Sequence, residues 1–229
     1  MSMRGKYKFT YLFEGDLKDD GPSGYDLSAT GTPTYPLAIR SPYGGYVNFA
    51  DGNAYANKTS ATALVTDTAW TIGVAVQMIA QPTDGWATTI IEMARDNNGL
   101  EHIQIKYHRD DSGGDQLKFI VGQTTAVGYV LNPQWAMDEW HFVFLVNKGA
   151  YSNTWDAWID GIEVLSDQSN GNNNAGQSTI RVNNTQQSGQ ERTGKRIGLY
   201  FKEDRVWTDE ELRRFHWRFE KGGPFGGCI

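Results

Sequence analysis

Cysteine is nearly absent: Cys228 is the single one among 229 residues, so no internal disulfide framework can hold the fold. Charge is also sparse, at 21% of residues, and the balance is acidic, with a net charge of −6. A general nucleic-acid binder needs a basic face, so nucleic acid and anionic membranes are excluded as expected partners. No apolar run approaches the ~20 residues of a membrane helix. The opening Met1-Ser2-Met3-Arg4-Gly5-Lys6 has no apolar stretch of the signal-peptide kind. The expectation is a chain made and folded in a reducing cytoplasm, with secretion after loss of a signal peptide as the alternative. The sequons at Asn57 and Asn183 are then expected to be unused. Four scattered His and one Cys give no zinc spacing. No nucleotide-binding glycine loop follows a strand and opens a helix.

What is present is glycine, 26 residues, and aromatic bulk, 13% of the chain with eight Trp. Short alternating runs recur: Tyr7–Phe13, Tyr46–Phe49, Trp70–Met78, Thr88–Met93, His102–His108, Leu117–Val121, Trp140–Val146, Thr154–Ile159, Thr179–Val182 and Arg196–Phe201. Asp51-Gly52, Asp84-Gly85, Gly113-Gly114, Asp160-Gly161 and Asn170-Gly171 lie between them and suit tight hairpins. About ten strands with almost no helix between them imply antiparallel sheets, because parallel pairing needs long crossovers. The length fits one domain, taken as 1–221, with a Gly-rich tail at 222–229.

Trp140–Val146 is apolar on both faces, with Trp140, Phe142, Phe144 and Val146 on one and Val143 and Leu145 on the other. Such a strand is covered on both sides, or closes the middle of a sandwich. Ser166–Gly194 is rich in Ser, Asn, Gln and Gly and is read as long solvated loops around one short strand. Thr208-Asp209-Glu210-Glu211 is a capping box, and the helix it opens ends at Gly222-Gly223-Pro224. Leu212, Phe215 and Phe219 share its apolar face, and Trp217 falls off that stripe.

The order of motifs resembles laminin-G-like, concanavalin A-like domains. Tyr11–Asp16 followed by Asp19–Gly24 is similar to their opening strand and Asp-Ser-Gly turn, and Trp70–Val76 to a long second strand. Glu139–Phe144 resembles the Trp-His strand, Trp158–Gly161 the Tyr-Val-Asp-Gly hairpin, and Asp204–Trp207 with Glu210–Leu212 the closing strand and helix. The family has several residues between those last two motifs, which nearly abut here, and the Ser166–Gly194 insertion is a further departure. The resemblance spans roughly 7–215 and implies an all-β, two-sheet antiparallel jelly-roll sandwich with one short C-terminal helix. Stand-alone domains of this kind resemble phage structural proteins. This implies a non-catalytic module of a virion, as capsid decoration or a tail- or fibre-associated protein. Its partners would be other virion subunits or a second copy of itself. A lectin of surface polysaccharide is the alternative.

A retaining glycosidase needs two carboxylates ~5–5.5 Å apart; no Glu-x-Asp-x-Glu strand exists, and Glu92 stands alone on its own. The most distinctive run is His102–His108. Period-2 geometry places His102, Gln104, Lys106 and His108 on one face, joined by Lys118 from the next strand, with Ile103, Ile105 and Tyr107 opposite. Alternation of this sort is what a solvated outer face requires, and that is the first expectation. Glycan contact through His102, Gln104, Lys106, His108 and Lys118 is the second. A polysaccharide lyase using Tyr107 and His108 is the third, weakened because the paired-arginine strand of such lyases is missing.

Asp19-Asp20-x-x-Ser23 and Asp110–Asp115 carry the oxygen-rich turn chemistry that calcium takes, and that ordinary hairpins also use. Trp86, Trp135, Tyr151 and Trp155 fall in loop-like positions that could stack on sugars or anchor a partner, against the usual core role of aromatics. Trp217 and the tail with Phe225 suggest docking on a neighbouring chain, with a frayed terminus as the other reading.

Overall fold

The computed structural model describes residues 7–36, 41–42, 44–50, 54–59, 69–94, 101–109, 114–123, 127–131, 135, 137–149, 154–169, 178–184 and 190–220. Among the described residues the strands are β1 (Phe9–Tyr11), β2 (Ser28–Thr30), β3 (Val47–Phe49), β4 (Tyr55–Thr59), β5 (Trp70–Met78), β6 (Ala87–Ala94), β7 (Glu101–Arg109), β8 (Asp115–Gln123), β9 (Val127–Leu131), β10 (Trp140–Asn147), β11 (Thr154–Ile159), β12 (Ile162–Ser169), β13 (Thr179–Val182), β14 (Gln190–Glu191) and β15 (Lys195–Glu203), followed by helix α1 (Asp209–Glu220). They form two sheets. One runs β1-β15-β5-β10-β11-β12 with β3 also on β15; the other runs β2-β4-β13-β6-β7-β8-β9 with β14 also on β6. Every pairing is antiparallel except the two-residue β14, which lies parallel to β6.

Each of the ten alternating runs contains a strand, but only Phe9–Tyr11 of Tyr7–Phe13 is one, Phe13 turning to φ 52°, and Tyr46 precedes β3. Two parts of the reading need correction. Ser166–Ser169 belongs to the long strand β12, not to a loop. The 178–184 stretch is buried throughout rather than solvated. Polar composition misled because β12 is a largely exposed edge strand, whereas β13 fills its outward positions with polar groups that other side chains cover.

The main core lies between the sheets and gathers Phe9, Tyr11, Trp70, Ile105, Tyr107, Phe119, Val143, Leu145, Trp155 and Tyr200. Phe142, Phe144, Val146, Trp158, Phe201, Trp207 and Leu212 form a second core, with Phe215 packed against it. This second core is the far side of β10, as the two-faced pattern required, and α1 covers it. The capping box forms as read: Glu211 N donates to Thr208 Oγ1 at 3.3 Å, and Thr208 N donates to Glu211 Oε2 at 2.9 Å. Asp160 and Gly161, at φ 51° and 75°, make the two-residue turn between β11 and β12.

Lys195 is fully buried between the sheets. From β15 its Nζ donates to Thr88 Oγ1 at 2.6 Å, Thr89 O at 3.0 Å and Asn183 Oδ1 at 2.5 Å, so one amine joins the two sheets. Burial lowers its pKa well below the ordinary lysine value. Asn183 also donates from Nδ2 to Ala54 O at 2.8 Å, which leaves that sequon no exposed amide.

Gly73 in β5 sits beneath two rings of the second core: a Cβ there would lie 2.6 Å from Phe201 Cε1 and 2.9 Å from Phe142 Cε1. Gly73→Ala is expected to lower unfolding stability by ~1–3 kcal/mol through overpacking. Urea denaturation checks this, and an unchanged midpoint would contradict it.

Candidate functional site

The outer face of the eight-stranded sheet carries the polar residues that no core requires. Register sets them in rows across the strands. Arg181 of β13 pairs with Glu92 of β6, and Glu92 with Gln104 of β7. One row along, Thr89 pairs with Lys106, and Lys106 with Lys118 of β8. Beyond that, Ala87 pairs with His108, and His108 with Gln116. A register shift between Thr89 and Ile91 makes Ile90 an extra residue, and so brings both Thr89 and Glu92 to this face.

The expected solvated face is not what the chain builds. Gln104 is fully buried and Lys106 is only 4% exposed, while Lys118 and His108 are half-buried. Arg181 Nη1 donates to Glu92 Oε1 at 2.7 Å, and Gln104 Nε2 donates to Glu92 Oε2 at 2.7 Å and to Thr89 Oγ1 at 3.3 Å. Long side chains from adjacent strands thus cover one another, which the alternation of a single strand cannot reveal. Sequence reasoning placed Arg181 on the Thr179–Val182 strand but read its surroundings as loops, and so did not bring it to this face beside Glu92.

Both oxygens of Glu92 are engaged, and Glu92 is the one carboxylate on this face across the described residues of β13, β6, β7 and β8. The face therefore lacks the pair of acids that glycoside hydrolysis uses. Burial first, and then the Lys118 charge, depress the Lys106 pKa to about 8, with Glu92 acting in the opposite sense. Tyr107 lies in the inter-sheet core, its hydroxyl pushed up by burial and by Asp115. It faces away from His108, so the two cannot attend one substrate, and the lyase pair is not assembled. His102 is placed by its backbone at the far end of β7, opposite Ala94 and Gly122.

The remaining candidates separate. Trp135 and Trp155 are core residues, not loop platforms. Trp86 is 40% exposed, held after a turn in which its N donates to Thr83 O at 2.9 Å and Gly85 adopts φ 79°. Trp217 is 59% exposed on α1. Tyr151, Phe225 and Asp110–Gly113 lie outside the described residues. Of the calcium candidates, Asp19 is occupied by backbone. Its Oδ1 accepts from Thr10 N and Gly21 N at 2.8 Å each, and its Oδ2 from Tyr25 N at 2.9 Å. Among the described residues no three His, Cys, Asp or Glu side chains gather to hold a metal.

No family model and no curated protein matches the sequence. Solved structures do match the fold. Domain 4 of AbnA, a GH43 extracellular arabinanase from Geobacillus stearothermophilus, aligns with TM-score 0.63 and 16% identity over 92% of this chain and 98% of that one. The binding domain of botulinum neurotoxin serotype C1 aligns with TM-score 0.66 and 10% identity over 93% of this chain and 52% of its own. A Trypanosoma rangeli sialidase mutant displaying trans-sialidase activity aligns with TM-score 0.61 and 13% identity, over 90% of this chain and 31% of the sialidase. At these identities the likeness establishes the two-sheet β-sandwich fold alone.

The buried lysines make stability depend on pH. Unfolded lysine holds its proton up to about 10.5, whereas folded Lys106 releases it near 8. The unfolded chain therefore binds more protons between these values, and stability rises with pH there. The rise ends near pH 10, where tyrosines that are ordinary when unfolded but raised in the fold, such as Tyr11 and Tyr200, begin to act oppositely. Denaturant melts from about pH 8 to 9.5 should show the rise, and Lys106→Met should flatten it. An unchanged slope in that variant would refute the assignment to Lys106.

Proposed function

We propose that this chain is a non-catalytic saccharide-binding module that receives its ligand on the outer face of the eight-stranded sheet. The observation that carries the reading is the polar face itself. An Arg181–Glu92–Gln104 network and an adjacent Lys106–Lys118 pair are built where a sandwich needs only ordinary solvated side chains. Burying charged groups costs several kcal/mol per ion unless each is paired with good geometry. Such groups gather preferentially at functional sites. The network fixes neighbouring side chains in place, and half-buried Lys118, His108 and Gln116 present donors and acceptors along its border. With Glu92 held by two partners, the face is suited to hold a sugar rather than to cleave it. The fold's relatives support the class of ligand: the arabinanase domain was solved with arabinotriose, and cell entry of botulinum neurotoxin type C depends on two ganglioside molecules.

The test is a glycan array with the intact protein, followed by assay of the bound glycan for new reducing ends. Binding is expected without cleavage, and His108→Ala with Lys118→Ala should weaken it by about 1–3 kcal/mol in total, the scale of a few lost polar contacts. Failure to bind any saccharide would overturn the reading, and release of reducing ends would overturn its non-catalytic part.

A second reading is a subunit-docking role, such as attachment within a virion, which Trp217 favours. An exposed Trp outside the apolar stripe of a surface helix is a residue type enriched at interface centres. A binding domain of this fold, from botulinum neurotoxin DC, was solved with rat synaptotagmin II, so the architecture also serves protein partners. Light scattering should find an oligomer that Trp217→Ser disperses without loss of thermal stability. A monomer at every concentration would count against it.

A further inference from the structure

We propose that the outer face of the seven-stranded sheet carries a second saccharide site, in which a neutral sugar ring stacks on Trp140 of β10 while Arg196 of β15 and Asn48 of β3 hydrogen-bond its hydroxyl groups. The site is separate from the polar face of the other sheet and goes beyond that reading. Register builds it. Asn48 pairs with Arg196, Arg196 with Gln77 of β5, and Gln77 with Trp140. Directly opposite residues of antiparallel strands project on one face, so the four side chains form a row ~14 Å long, three strand spacings. Helix α1 lays Phe215 on Phe142 and Phe144, and the row begins one step further along the same face of β10.

Side chains in strands ordinarily stand roughly perpendicular to the sheet. The indole of Trp140 instead crosses β5. A Cβ on Gly198 of β15, two strands away, would lie 3.3 Å from Trp140 Cζ3 and 3.1 Å from the Cβ of Ala75. A reach of two strand spacings, ~10 Å, lays the ring along the sheet. The small Ala75 and the missing side chain of Gly198 leave room for it there. Tyr46 holds the ring from the side, at a centroid separation of 5.6 Å and an angle of 63°. Trp140 is half-buried, so part of it stays open to solvent. A ring so placed offers a flat apolar surface whose negative π face attracts the polarised C–H groups of a sugar.

Arg196 is the oriented donor beside that surface. Its Nη1 donates to Gln77 Oε1 at 2.8 Å, Gln77 Nε2 donates in turn to the Asp138 carbonyl, and the guanidinium lies 5.8 Å from the centroid of the Tyr46 ring. The group is held from two sides, yet among the described residues no carboxylate pairs with it. Its Nε is shielded from water with no hydrogen-bond partner, and so is Oδ1 of the neighbouring Asn48. Native folds leave few such groups unpaired, and two in adjacent positions near a partly open indole call for a partner from outside the chain. A hydroxyl both donates and accepts, so it serves Arg196 and Asn48 together. Both residues are half-buried and can be approached from the solvent side. A carboxylate ligand would instead meet Asp138 and Glu139, the exposed acids that lead into Trp140, and the sugar is therefore neutral.

Proton–nitrogen NMR of the intact protein tests the proposal, with the Trp140 indole cross-peak identified by its absence from Trp140→Phe. The probes are cellotetraose, xylotetraose, mannotetraose and tetragalacturonate. At least one of the three neutral probes should shift that cross-peak saturably at about millimolar concentration or below. Arg196→Ala should weaken its binding about tenfold, and Arg196→Lys should not restore it, because lysine lacks the planar fork. Asn48→Ala, which removes no charge, should weaken it about threefold to tenfold, so the row is tested even if Arg196→Ala fails to fold. A Trp140 cross-peak that no neutral probe moves would overturn the site. If the glycan array shows binding in that case, the saccharide reading stands and its ligand lies elsewhere. Tetragalacturonate shifting the peak at lower concentration than every neutral probe would overturn the neutral assignment. Unchanged affinity in both Arg196→Ala and Asn48→Ala would overturn the role given to the row.

Discussion

Strands without a solvated face constrain everything else in this molecule. All nine residues of β5 are buried, as are seven of the eight in β10 and eight of the nine in β15. A sandwich normally covers one face of each strand with the other sheet and leaves the second to water. Here the second face carries Phe142, Phe144 and Phe201, so a further layer must lie over it. Helix α1 supplies that layer, and its approach is fixed in detail. Trp207 N donates to Thr71 Oγ1 at 3.0 Å, and Thr71 Oγ1 donates to Arg205 O at 2.8 Å, which fastens the chain to β5 just before the helix begins. Gly73 leaves room for the rings that the helix covers. The helix is thus a consequence of the strands, not an appendage to them.

The eight-stranded sheet covers its outer face by other means. In place of an apolar layer it uses long polar side chains that pair with one another: Arg181 with Glu92, and Glu92 with Gln104. This cover is worth less per unit area than an apolar one, because the desolvation of each charge offsets much of the attraction. Its advantage is chemical. Apolar residues there would make the sheet stickier to protein, whereas an ordered polar surface can discriminate among hydroxylated or charged ligands. The two sheets have similar inner faces and opposite outer ones: one is apolar and covered by α1, the other is polar and covered by its own side chains.

What could be read from the sequence was what is local. The two-faced alternation of Trp140–Val146, the Thr208 capping box and the Asp160-Gly161 turn each depend on residues a few positions apart, and each forms as read. The parity of β7 was also legible, with Gln104 and Lys106 on one face and Tyr107 on the other. The burial of that face was not. It depends on Arg181 and Glu92, which meet only because β13 lies beside β6, 89 residues away in sequence. The strand that holds Arg181 was legible, but the Asn, Gln and Ser around it read as solvated loop, so its burial was not. The Asp19 turn was ambiguous for a similar reason. A carboxylate that accepts backbone N–H groups and one that binds a cation use the same residue types at the same spacing.

Two buried lysines show why burial alone does not mark a site. Lys195 is the more deeply buried, yet its surroundings account for it fully. Thr88, Thr89 and Asn183 offer oxygen atoms that suit an amine, and the result is a link between the sheets. Its Nζ donates to the Thr88 hydroxyl, the Thr89 carbonyl and Asn183, so burial leaves the amine no unmet need. Lys106 differs in having another lysine as its direct neighbour across the strands. A buried charge whose partners lie within the fold, as those of Lys195 do, therefore marks architecture rather than a site.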